Sequence, residues 1–205
     1  MLFDLVPYYK DERMNAASTT GTTGATWSIS EFRLCDGSES AVELRDEVES
    51  HGWAESDHVG RQYAALFVEQ LYSLSESSEA EEECVVVLRG AEGELAGLAV
   101  YMPVPRGLLV TNIASTSECP GAGTRIMEHI ARRFLQEGRV GSILAQALPR
   151  SEGFCRKLGM SESRPVPQAS AQTADMGTRD FHWERAAIEA FISRADRDTK
   201  ERVWA

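Results

Sequence analysis

The sequence predicts one α+β domain. Its core is a mixed, mostly antiparallel twisted sheet flanked by helices, in the order β-α-α-β-β-β-α-β-α-β with a further helix at the end. Three observations carry this expectation. A hydrophobic fraction of 42% over 205 residues suits a single compact domain with a sizeable core. Short apolar runs bounded by turn residues are interspersed with segments of helical periodicity, without internal repeats. No stretch of about 18 apolar residues interrupts them, so neither a transmembrane helix nor a membrane partner is expected.

Residues 1–26 read as a tail and a flexible linker. The first fourteen hold Leu2, Phe3, Leu5, Val6, Tyr8 and Tyr9, enough apolar surface for an appended helix or a partner-binding tail. Residues 15–26, "NAASTTGTTGAT", are small and polar with no period, the composition of a linker. The domain proper spans 27–185. It opens on a strand, "TWSISEFRL", with Trp27 and Ile29 inward. A short helix follows over "GSESAVELRDEVESHGW", stopped at Gly52, and then a second one over 58–74. The acidic stretch 75–83 reads as a solvated loop, or alternatively as an anionic lip for a cationic acceptor.

"CVVVLRG" and "LAGLAVYMPV" are joined by "AEGE", the signature of a β-hairpin, and "GLLVTNIAS" is a third strand. Residues 121–136 form the clearest helix, with Ile126, Met127, Ile130, Ala131, Phe134 and Leu135 on one stripe and Gly138 closing it. "SILAQAL" is a strand, "SEGFCRKLG" a short helix and "RDFHWER" a last strand with Phe181 and Trp183 on one face. Residues 186–205 are an amphipathic C-terminal helix.

Cys35, Cys84, Cys119 and Cys155 form no C-x-x-C pair and read as reduced thiols. The four histidines lack H-x-x-x-H spacing, so no metal is expected. The N-terminus lacks a basic segment followed by an apolar one, so a cytoplasmic protein is expected. A net charge of -11 repels phosphates, making nucleic acid a poor partner and cationic small molecules or basic protein segments better ones. Homodimerisation is left open.

The segment "ECPGAGT" leads from a strand into a helix through Gly121 and Gly123. First-turn N–H groups lack intrahelical partners and carry the positive end of the helix dipole. Glycine lets the backbone close on phosphate oxygens without a Cβ in the way. Gly121, Ala122 and Gly123 therefore suggest a backbone cradle for a phosphate or pyrophosphate, to which Thr124 adds a hydroxyl. Neither a dinucleotide-binding G-x-G-x-x-G nor a P-loop is completed, because Ile stands at 126 and no G-K-[ST] follows.

About 30 residues on comes "SEGFCRKLGM". Together these segments resemble the GCN5-related N-acetyltransferase (GNAT) superfamily. There a [QR]-x-x-G-x-[GA] loop binds the acetyl-CoA pyrophosphate, and a helix of the form A-x-x-F-Y-x-K-x-G-F follows the next strand. Phe154, Lys157, Leu158, Gly159 and Met160 fall where that pattern has their like. The chain departs from it at Glu118, in place of Gln or Arg, and at Cys155, in place of a common Tyr.

The resemblance implies a GNAT fold over 27–185 and acetyl-CoA as cosubstrate, with direct attack of a primary amine on the thioester. It implies that the strand before the glycine loop splays from its neighbour. Ile113, Ala114 and Ser115 would then lie along the pantetheine, with Asn112 nearby and Phe154 beside the cofactor. A donor N–H around Ile113–Ala114 would polarise the thioester carbonyl. Cys155 would stand in for the tyrosine that protonates the leaving thiolate. It is expected to be dispensable for binding and at most supporting in turnover, because a thiol is shorter than a phenol. The acceptor is expected to be a cationic amine, either a small molecule or a protein. For the general base the sequence offers Glu82, Glu83, His182 or a chain of waters. The competing expectation is a catalytically weak or inactive member of the fold that binds CoA or a protein partner. A third is transfer of a longer acyl chain.

Overall fold

In the computed structural model the described residues are 16–20, 26–33, 39–50, 83–116, 119–147, 151–163 and 179–203. In chain order they form β1 (Ala16–Thr20), β2 (Thr26–Arg33), α1 (Glu39–Ser50), β3 (Cys84–Arg89), β4 (Leu95–Val104), β5 (Gly107–Ser115), α2 (Ala122–Gln136), β6 (Ser142–Ala147), α3 (Glu152–Leu158), β7 (Ser161–Glu162), β8 (Arg179–Glu184) and α4 (Arg185–Val203). The eight strands make one sheet in the order β1-β2-β3-β4-β5-β6-β8-β7. Every pairing is antiparallel except β5 with β6.

This is the expected α+β architecture with two strands added. The reading of 15–26 as a flexible linker is corrected over 16–20, which pair with β2 as an edge strand. An edge strand is held by backbone hydrogen bonds, so it needs no apolar alternation, and the register irregularity between Ala16 and Thr19 blurs what period there is. The expected helix over 58–74, the acidic stretch up to Glu82 and the tail 1–14 lie outside the described residues.

Each face of the sheet carries its own core. On one face α2 lays its stripe of Ile126, Met127, Ile130, Ala131 and Phe134 against Val86, Ala99 and Val110, and Phe181 and Trp183 extend that layer under α4. On the other, Leu44 and Val48 of α1 pack on Val85, Val87, Leu98 and Val100. This two-sided burial explains why "CVVVLRG" and "LAGLAVYMPV" are almost continuously apolar rather than alternating.

Two glycines fix where β6 meets β5. Gly107 (φ 136°) and Gly141 (φ 108°) are held in conformations that suit glycine. A Cβ on Gly107 would stand 1.8 Å from the Ser142 carbonyl oxygen, and one on Gly141 2.1 Å from that of Arg106. The Ser142 N–H donates to the Arg106 carbonyl at 3.1 Å. The two strands are thus pinned together at the end where they begin. Among the described residues no helix is long and apolar enough to cross a membrane, and no group of three or more His, Cys, Asp or Glu could hold a metal.

Candidate active site

From that pinned end the parallel pairing runs Gly107–Ser142, Leu108–Ile143, Leu109–Leu144 and Val110–Ala145, and then stops. Both strands continue. β5 reaches Ser115 paired only with β4, and β6 reaches Ala147 paired only with β8. Between residues 111–115 on one side and 146–147 on the other, the sheet therefore opens. At the same point β5 carries a bulge: Val110 pairs with Tyr101 but Asn112 with Val100, so Thr111 is the extra residue. Its hydroxyl donates to the Val100 carbonyl at 3.2 Å. From Asn112 to Ser115 the inner edge of β5 pairs with no strand among the described residues, so an extended ligand could pair with its backbone.

The glycine turn stands at the wide end of this opening. Gly121 caps α2 with φ 91°, and nothing lies within 4 Å of where its Cβ would be. Glycine is needed there for the backbone conformation and not for space. Among the described residues no side-chain cap is made at this N-terminus. The Ala122 N–H donates to Cys119 and the Arg125 N–H to Gly121, at 3.1 and 3.0 Å. The N–H groups of Gly123 and Thr124 between them have no backbone partner among the described residues. Two amides at the positive end of a fifteen-residue helix, with no side-chain cap at Gly121, are donors from which an anion could accept hydrogen bonds.

Three of the expected residues meet here although the sequence separates them. A Cβ on Gly123 would lie 3.4 Å from Phe154 Cζ and 3.7 Å from Ser115 Oγ. Ile113 packs on the α2 side of the sheet, whereas Ala114 faces the α1 side. Thr124 is half-buried in the first turn of α2. Cys155 behaves differently from its neighbour Phe154. It is 5% exposed, sits within the core and has its thiol pushed up in pKa, chiefly by burial.

The base candidates are dispersed. Glu83 is buried immediately before β3, and Glu82 lies outside the described residues, as does Glu118. His182 lies on β8, its Nδ1 at 2.9 Å from Ser163 Oγ, on the sheet face away from α2.

A further polar cluster escaped the sequence reading. Glu31 on β2 accepts from Tyr101 Oη at 2.9 Å and lies 2.7 Å from His129 Nε2 of α2, with Arg133 at 3.5 Å. Burial opposes ionisation of Glu31. The hydrogen bond and charge of His129, together with Tyr101 and Arg133, outweigh it and hold the carboxyl below its ordinary range. Burial and the Glu31 charge push the neighbouring Cys84 thiol up to about 11. These residues come from four elements, and no local pattern joins them.

No family model matches the chain, and no curated protein sequence does. Solved structures do match. The GNAT domain of PAT from S. lividans is 13% identical over 82% of this chain and 96% of its own, with a TM-score of 0.57. Tetrahymena GCN5 is 16% identical over 74% and 94%, with a TM-score of 0.51. The PaiA N-acetyltransferase of Thermoplasma acidophilum, solved in complex with coenzyme A, is 12% identical over 76% and 98%, with a TM-score of 0.50. At these identities the likeness speaks for the fold. The sheet that opens beside a glycine-led helix is therefore that of the GCN5-related N-acetyltransferase fold.

Proposed function

We propose that the protein is an acetyl-CoA-dependent N-acetyltransferase, transferring the acetyl group to a primary amine by direct attack on the thioester. The observation that carries this reading is that β5–β6 pairing ends at Val110–Ala145, while β5 runs on to Ser115 beside Gly123 in the first turn of α2. A pantetheine chain needs an extended slot with unpaired backbone groups, and a pyrophosphate needs converging amides. The residues present fit both.

In this reading the amides of Gly123 and Thr124 hold the pyrophosphate, and Phe154 and Ser115 border it. The inner edge of 112–115 pairs with the pantetheine, and an N–H around Ile113–Ala114 is aimed at the thioester oxygen. Cofactor and amine are then held together, which supplies much of the rate. The buried, raised thiol of Cys155 is poorly disposed to donate to a leaving thiolate, so water takes that part. The same burial favours, as a second reading, a catalytically weak protein that binds CoA without turnover.

Thermal unfolding with CoA and acetyl-CoA tests the binding. Ligand at about 100 times its dissociation constant is expected to add about 2.7 kcal/mol, and Gly123→Asp to abolish the gain by placing a carboxylate among the phosphates. No shift with either thioester or thiol would overturn the proposal. A shift without thiol release in the presence of amines would favour the second reading.

A further inference from the structure

The helix α3 has little of its own to hold it. It spans seven residues, Gly153 among them, and Ser151 makes no side-chain cap at its start. Helices this short are marginal by themselves, and an interior glycine weakens them further. Of its residues, Cys155 and Leu158 are buried. Yet this helix carries Phe154, whose Cζ lies 3.4 Å from where a Cβ on Gly123 would stand. The packing of the glycine turn therefore depends on where α3 is set.

The face of α3 opposite Phe154 supplies a second hold. Glu152 and Arg156 stand one turn apart, each about 200° around the helix from Phe154. Arg156 Nη1 donates to Glu152 Oε2 at 2.9 Å, and its Nη2 donates to Glu162 Oε2 of β7 at 3.0 Å. Arg179, the first residue of β8, donates from Nη1 to Glu162 Oε1 at 3.0 Å, and its Nε lies 3.0 Å from Glu152 Oε1. The four side chains close a ring of alternating charge, in which each carboxylate oxygen meets its own arginine nitrogen. The Arg156 guanidinium also lies over the ring of the buried Phe181, 5.5 Å from its centroid. An isolated exposed ion pair contributes little, whereas a network with distinct donors is the arrangement in which such pairs count. Within the ring Glu152 is the most enclosed member, its side chain 13% exposed, and it lies in the first turn of α3, where a carboxylate also meets the positive end of the helix.

We infer that Glu152 is a positioning residue for the cofactor site: through the ring it sets α3 so that Phe154 stands against Gly123. This rests on the CoA reading for what the site binds, whereas the packing that Glu152 controls exists without ligand.

The test is NMR spectroscopy of the full-length protein, first without ligand. An aromatic ring shifts the resonances of protons beside it, so the Gly123 backbone protons report where Phe154 stands. Glu152→Gln is expected to move them toward their positions in Phe154→Leu. It is also expected to weaken acetyl-CoA about fivefold or more, the factor that the loss of ion pairs of this exposure can carry. In the Phe154→Leu background the same substitution should cost no further affinity, because Glu152 acts through the phenyl ring. A charge that only supports the fold would lower the urea midpoint and leave the Gly123 resonances in place. Should Glu152→Gln not fold, Glu162→Gln removes the other carboxylate of the ring and is read in the same way. Unmoved Gly123 resonances in the variant that folds, or affinity losses that add in the double variant, would overturn the inference. An absence of CoA-induced shifts at 121–124 in the wild type would instead overturn the cofactor reading, and the ligand-free spectra would still decide whether Glu152 places Phe154.

Discussion

Glu31 shows how a single residue can tie two layers together. Its carboxylate is the shared acceptor for Tyr101 of β4 and for His129 of α2, so the helix that starts at the glycine turn is anchored to β2 midway along its length. Because the folded-state pKa is lowered, the ionised form is bound better in the native protein than in the unfolded chain. This contribution is fully present above the ordinary value of about 4.5 and is lost as the pH falls through the lower, folded value. Glu31→Gln should therefore cost about 1–3 kcal/mol at neutral pH and should flatten the acid limb of the stability profile. Urea unfolding of both proteins between neutral and acid pH measures this. Parallel profiles would show that Glu31 does not carry the dependence.

At the scale of elements, the opening is defined as much by where β5 and β6 are joined as by where they part. Gly107 and Gly141 allow the join, because any Cβ there would meet the backbone of the other segment. Gly138, just beyond α2, also has positive φ (63°), but open space surrounds it. Gly138→Ala should carry only the left-handed penalty of about 1–2 kcal/mol. Gly107→Ala must also push β6 away, so it should lose clearly more stability and weaken CoA binding in step. Denaturant midpoints of the two variants decide this, and equal losses would show that the contact at Gly107 is not limiting. The opposite flank is tied by ion pairs of a different kind: Arg132 of α2 bridges Glu128 at 2.8 Å and Asp196 of α4 at 2.6 Å. These are partly exposed, and each is worth about 1 kcal/mol or less.

For the molecule as a whole, charge sets the long-range preference. A net charge of -11 raises the local concentration of cations and opposes polyanions. Fluorescence anisotropy with tRNA or duplex DNA should show no binding at about 0.15 M salt, where the Debye length is about 8 Å. Tight binding would mean that a local basic surface overrides the total charge. The proposed anion site at α2 does not contradict this balance, because its positive charge would be that of backbone amides and a helix dipole acting within one turn.

The sequence by itself determined most of the elements and their order, and it located the glycine turn. Helical stripes, apolar runs and glycine–helix junctions are written in neighbouring residues. It misread 16–20 as part of a linker because an edge strand is held by backbone bonds that leave no trace in composition. It named Ser115, Gly123 and Phe154 one at a time, but only the fold puts the three in contact. Adjacent positions could also diverge: Phe154 borders the site while Cys155 enters the core, since one step along a helix turns the side chain by about 100°. The end of β5–β6 pairing and the cluster around Glu31 were decided by tertiary structure alone. Each depends on the register between strands distant in the chain, and register is fixed by which faces are buried together, which no local segment encodes.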